Sequence, residues 1–259
     1  MSTLLVAKKD VQDAIRSRTL LVVAGLFTAF LAFIIYYRIA MESPGRPVKV
    51  AGLYPSVATV ISVIGTLLGY NAIVGERESG SVKFLLGQPH ARRDVVVGKF
   101  LGRAAVVAVT VLVAFAVVGV HYAVLAESPS FTAYVLFVGK MLVLGVVFVA
   151  IAIAFSAALR SATAATWGAV GLAILFAFGW ESVLIIIESL LVSGGSPPSW
   201  FLLFNRLNPK YALDTSASGV GGGAASFYLE PWFGVVILGG WLLVPLGLGY
   251  LRFQRGDLA

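Results

Sequence analysis

The sequence predicts an all-α integral membrane protein with six transmembrane helices, and three observations carry the prediction. Hydrophobic residues fill 59% of the 259 positions and charged residues only 12%. That is half the roughly 25% charge of a soluble domain, too little to cover a water-facing surface. Mean hydropathy is +0.95. The apolar residues fall in runs near the ~20 residues that cross a bilayer, and most charges gather in the connections between them. This composition excludes a soluble enzyme.

Residues 1–18 come first. At 100° per residue Leu4, Ala7, Val11, Ala14 and Ile15 share one arc, and Lys8, Lys9, Asp10, Gln12, Asp13 and Arg16 fill the other. This pattern predicts an interfacial helix lying along the membrane surface. The six spans are read at residues 19–37, 55–74, 104–126, 131–155, 164–187 and 232–251. The first run is too long for the apolar core of a signal peptide, and no small-x-small cleavage site follows, so it is read as retained. Pro55 suits a helix start. The pairs Gly65/Gly69 and Gly98/Gly102, each four apart, admit close helix contact. The connection 192–231 is long for an unstructured link. Its Ser199-Trp-Phe-Leu-Leu-Phe204 run is too short to span and predicts a re-entrant or interfacial helix, acting as an outer lid.

Six spans put both termini on one side. Thirteen Lys and Arg residues fall on that side, against five on the other, with Lys140 inside the fourth span. The bias places both termini in the cytoplasm, and the expected location is the plasma membrane. The net charge of +7 is absorbed by this rule and does not call for nucleic acid. With no cysteine, two histidines and three scattered methionines, no metal site or soft-metal relay is expected.

The connection between spans 2 and 3, residues 75–100, is the most informative stretch. It opens on Glu76-Arg77-Glu78 and Gly80; Val82, Leu85 and Leu86 then share one helical face. Pro89 ends that short helix, and Arg92, Arg93, Gly98 and Lys99 lead into span 3. An apolar face between charged flanks must bury against something. On the residues alone, either the membrane surface or a groove on a soluble partner would serve.

This arrangement resembles the permease subunits of type-2 ABC exporters, most closely the branch named for nitrous-oxide reductase and multicopper-enzyme maturation permeases. The resemblance rests on Glu76-Arg77-Glu78, Gly80, Leu85-Leu86, Pro89, Arg92-Arg93 and Gly98-Lys99, with Ala7-Lys8-Lys9-Asp10 and Arg16-Ser17-Arg18 before span 1. It covers nearly the whole chain as one permease domain. It implies that two permease chains pair, a homodimer being favoured over a heterodimer, above two ATP-binding subunits. The helix between Ser79 and Gln88 would be the coupling helix, pushed by those subunits as they close. ATP and magnesium would sit on the partner, and this chain would bind no cofactor. The branch name is not read as copper transport, because the soft ligands are too few.

No Gly-x-x-x-x-Gly-Lys-[Ser/Thr] occurs, so no nucleotide site or catalytic residue is assigned to this chain. Inside the membrane, Lys140 lies about 14 Å along its span and needs a carboxylate or a wet cavity. Glu181 is its best partner by depth and Glu188 the second, giving a polar pathway or gate, or a structural ion pair. Two other readings compete with the permease. A stand-alone secondary transporter would show mid-membrane charges and repeated halves. A non-transporting scaffold or sensor subunit would share every coupling feature.

Overall fold

The computed structural model describes residues 3–41, 50–78, 92–125, 129–159, 161–191, 199–212 and 227–255. Among them there is no strand. Six helical stretches are long and apolar enough to cross a membrane: Leu20–Arg38, Tyr54–Glu78, Arg92–Val124, Phe131–Ala158, Ala162–Leu190 and Pro231–Arg255. Each of the six runs read from the sequence coincides for most of its length with one of these stretches.

Helix α1 is Thr3–Arg16 and α2 is Thr19–Met41. Arg18 between them takes a φ of 57°, a left-handed residue that ends α1 and redirects the chain. After a 3-10 turn, α3 (Tyr54–Gly69) runs with Pro55 in its first turn. It breaks over residues 70–73 before a short helix, α4 (Val74–Glu78). The break is stabilised from outside, because the Ile73 and Val74 N–H groups both donate to Ser156 Oγ at 3.0 Å. Helices α5 (Arg92–Leu125) and α6 (Phe131–Ala158) follow. Ser130 caps α6 by accepting from the Ala133 N–H, and Ser161 caps α7 (Ala162–Ile174) by accepting from Ala164. A π-helical turn, Leu175–Gly179, joins α7 to α8 (Trp180–Leu191). Helices α9 (Ser199–Arg206), α10 (Pro209–Ala212) and α11 (Pro231–Arg255) complete the described chain.

Helix α6 is the axis of the bundle. Apart from Lys140 it is apolar almost throughout, its second half is largely buried, and it packs against α3, α5 and α11. Phe148, Val149, Ile151 and Ile153 are buried along it. Contact with α3 is close because Gly65 and Gly69 bring the two backbones together. A Cβ on Gly65 would stand 2.8 Å from Phe148 Cβ and 2.9 Å from the Gly145 carbonyl; one on Gly69 would stand 2.7 Å from Ala152 Cβ.

Two sequence expectations change. The third span is part of a helix that starts at Arg92, twelve residues before residue 104, because nothing between Arg92 and Arg103 breaks it and Asp94 favours its first turn. Helix α1 exists, but its buried stripe is Val6, Asp10 and Ala14, packed on α5, while Leu4 and Ile15 are exposed. Gly98 and Gly102 make that contact possible: a Cβ there would meet Val6 Cβ at 2.6 Å and Asp10 Cβ at 2.7 Å.

Overpacking the α3–α6 seam is therefore costly. Gly65→Val is expected to lower stability by about 1–3 kcal/mol, read as a lower unfolding temperature in detergent. Gly139→Ala, whose Cβ meets nothing within 4 Å, is expected to be neutral or slightly stabilising in the same assay.

Candidate functional site

At the end of the bundle where α1 and α11 terminate, called here the basic end, the acidic–basic–acidic cluster of α4 touches four other helices. Each of its three side chains does a different job.

Glu76 joins a buried charge network. Lys99 Nζ of α5 lies 2.5 Å from Glu76 Oε1 and 2.8 Å from Asp10 Oδ1 of α1. Arg103 Nε of α5 lies 2.9 Å from Asp10 Oδ2, an ion-pair distance at an angle off the line of a hydrogen bond. Two carboxylates face two cations, so the network is neutral. Asp10 is 1% exposed and Lys99 5%, which makes mutual pairing a requirement, since a lone buried charge is costly. Thr3 Oγ1 donates to Asp94 Oδ1 at 3.0 Å and ties the start of α1 to the start of α5.

Arg77 closes the end of α6. Its guanidinium donates to the Leu159 carbonyl at 2.8 Å and the Ala157 carbonyl at 3.4 Å, acceptors that a helix end leaves without intrahelical partners. The same guanidinium lies 5.0 Å from the ring centre of Phe253 on α11. Arg92 joins from α5: it lies 5.7 Å from that ring and donates to the Phe253 and Gln254 carbonyls at 2.7 and 2.9 Å. Buried Phe253 is thus held by two arginines. Glu78 Oε1 accepts from the Ala162 N–H at 2.5 Å, a carboxylate at the start of α7, where the helix dipole favours it.

The structure brings together Glu76, Arg77, Glu78, Arg92, Gly98 and Lys99. Arg93 is exposed at the start of α5. Gly80, Val82, Leu85, Leu86 and Pro89, with the helix predicted between Ser79 and Gln88, lie outside the described residues. Sequence reasoning missed Asp10 and Arg103 as partners and Phe253 as the ring beside Arg77 and Arg92. The signal for Asp10 was its place four residues from both Val6 and Ala14.

At the opposite end the sequence expectation needs correcting. Lys140 is partly buried on α6, and neither Glu181 nor Glu188 lies within ion-pair reach of it. Glu181, 48% exposed on α8, faces Lys210 Nζ at 3.8 Å instead. Lys210, read from sequence as a loop cation, is 2% exposed in α10. Its ammonium donates to the Ala177 carbonyl at 3.3 Å and lies 5.0 Å from the Tyr211 ring centre. Asn208 donates to the Phe176 carbonyl at 3.3 Å. Both acceptors belong to the π-helical turn, so Asn208 and the α10 residue Lys210 are bonded to an irregular part of the span. Tyr54 donates to the Lys210 carbonyl at 2.7 Å and Trp241 to the Leu207 carbonyl at 2.8 Å. Burial pushes the Lys210 ammonium below the usual lysine range, and Glu181 opposes that shift. The Trp241 contact lies ten residues into α11, about 15 Å from its start, so the segment after α9 reaches deep among the spans.

The chain matches the family described as ABC-2 family transporter protein over residues 4–258. It is 32% identical over 231 residues to the probable ABC transporter permease protein NosY of Pseudomonas aeruginosa, covering 83% of each chain. It is 30% identical over 256 residues to the protein of the same name from Stutzerimonas stutzeri, covering 95% of this chain and 90% of the relative.

Removing one member of the charge network exposes its value. Asp10→Ala is expected to cost about 3–5 kcal/mol, because it takes the carboxylate from Arg103 and leaves Glu76 alone to meet Lys99. Adding Lys99→Met, which restores a count of one carboxylate to one cation, is expected to recover more than half of it. A double-mutant cycle of unfolding in detergent reads the coupling.

Proposed function

The chain belongs to the ABC-2 family of transporter proteins and is a membrane permease subunit of an ABC transporter, and from that premise we propose that residues 75–100 couple it to ATP hydrolysis on a separate subunit. The observation that supports this reading is the anchoring of Glu76, Arg77 and Glu78. In sequence residues 79–91 connect α4 to α5, and these two helices are bonded to α1, α6, α7 and α11. A push on the intervening segment therefore acts on most of the bundle rather than on one loop. Val82, Leu85 and Leu86 supply the apolar face that a groove on the ATP-binding subunit would grip.

In this reading two copies of the permease pair above two ATP-binding subunits in the plasma membrane, with both termini cytoplasmic. ATP closure tilts the spans and moves substrate by alternating access. The outward direction follows from the resemblance to type-2 ABC exporters. ATP and magnesium belong to the partner, and this chain contributes no catalytic residue. Lys140, Glu181 and Glu188 remain proposed pathway residues. Glu181 works in that role with Lys210 rather than with Lys140.

The first experiment is affinity purification of the tagged chain from its host in mild detergent. An ATP-binding subunit is expected near a 1:1 ratio. Leu85→Asp is expected to cut its recovery about tenfold, equivalent to 1.4 kcal/mol of binding, with helix content unchanged. Glu78→Lys is expected to keep the subunit bound and to lose ATP-driven flux once a substrate is identified. Recovery of the chain alone in two detergents would instead favour a stand-alone secondary transporter.

A further inference from the structure

A cleft of about 890 Å³ runs between α6, α7 and α11 and opens away from the bundle core. Its walls are apolar, with Phe155 and Leu172 on one side and Gly240 and Leu248 on the other. At the basic end it is bounded by Arg252 and Arg255. These two arginines are three residues apart and so share a helix face. Both are exposed, and neither makes an ion pair among the described residues. The charge network and the Phe253 contacts described above use neither of them.

From this geometry we infer that the cleft binds one anionic phospholipid, its acyl chain along α11 and its phosphate on Arg252 and Arg255. Three features carry the assignment. The volume falls in the roughly 300–1,000 Å³ range of ligand-sized clefts. From Gly240 to Arg252 is twelve residues, about 18 Å, close to one leaflet of a hydrocarbon core roughly 30 Å thick. Two guanidinium groups at the mouth match a phosphate, which arginine engages with paired hydrogen bonds. An apolar acyl chain with an anionic head satisfies both parts of the site.

Gly240 offers a clean test, because a Cβ there meets nothing within 4 Å. A large side chain can enter the cleft without disturbing the packed core. The full chain, purified in detergent, is titrated with phosphatidylglycerol and with phosphatidylcholine of identical acyl chains, and bound lipid is counted by native mass spectrometry. Phosphatidylglycerol is expected to bind roughly tenfold tighter or better, as two basic residues near a headgroup imply. Arg252→Gln with Arg255→Gln is expected to erase that preference while leaving phosphatidylcholine binding unchanged. Gly240→Phe is expected to weaken both lipids. Equal affinity for the two lipids in the unmodified chain would overturn the assignment, as would unchanged binding in Gly240→Phe. A dimer that Gly240→Phe breaks would give the cleft to a second copy and overturn it as well. None of these readings depends on transport or on an ATP-binding subunit.

Discussion

The architecture of the basic end depends on one constraint: Asp10 is buried as an ion and must meet Lys99 and Arg103 wherever α1 lies. Val6 and Ala14 alone would let α1 slip by a turn along α5 with little loss of apolar contact. The carboxylate permits one register, because only there are both its oxygens faced by cations at 2.8 and 2.9 Å. Gly98 and Gly102 let the helices approach closely enough for that contact. Lys99 then has a second carboxylate to meet, and Glu76 brings α4 to it. A buried pair of this kind contributes little net stability against an apolar alternative, since desolvation offsets the Coulomb gain. Its structural effect is to specify position, and the positions of Arg77 and Glu78 follow from that of Glu76.

The spans were legible in the sequence because hydropathy and length report directly on what a bilayer demands. So was the grouping of Glu76, Arg77 and Glu78 as a cluster with a role. What was not legible is where those charges go. A periodicity argument puts Asp10 with Lys8, Lys9 and Asp13 on a polar face, because it scores each residue against water. Asp10 faces another helix, and the cations that neutralise it lie about 90 residues away in sequence. Lys140 failed for the same reason in reverse. Depth along a span made Glu181 its natural partner, but depth does not fix rotation about the helix axis. Lys210 reaches Glu181 from a segment that hydropathy reads as loop.

The π-helical turn of residues 175–179 is where buried Lys210 and Asn208 find their acceptors. A carbonyl carries two lone pairs, so one within a helix can take a side-chain donor as well as a backbone N–H. Asn208 donates to the Phe176 carbonyl and Lys210 to the Ala177 carbonyl. Withdrawing the loop would break both bonds and leave two buried donors to find other partners. No local rule on the sequence of either segment contains this pairing. The one hint is compositional, Gly179 set between Phe178 and Trp180 in a span that otherwise reads as regular.

The two ends of the bundle therefore differ in how they are fixed. At the basic end, charge-assisted bonds run from side chains to helix termini: Arg77 to the end of α6, Arg92 to the end of α11, Glu78 to the start of α7. Such bonds hold ends together but leave each helix free to tilt about its end as a rigid body. At the opposite end, bonds run to the middle of a span, through a turn that is already irregular, and there a shift of α10 changes the helix itself. In the proposed transport cycle the first kind of contact suits transmission of a push, since it conserves its bonds through a small rotation. The second suits a point that must open, since its bonds are few, neutral for the most part, and shared between two elements that cannot both be satisfied once separated. Between them stands α6, buried along most of residues 144–157 and closely approached by α3 at Gly65 and Gly69, a helix that can turn with its neighbours but has little room to deform there.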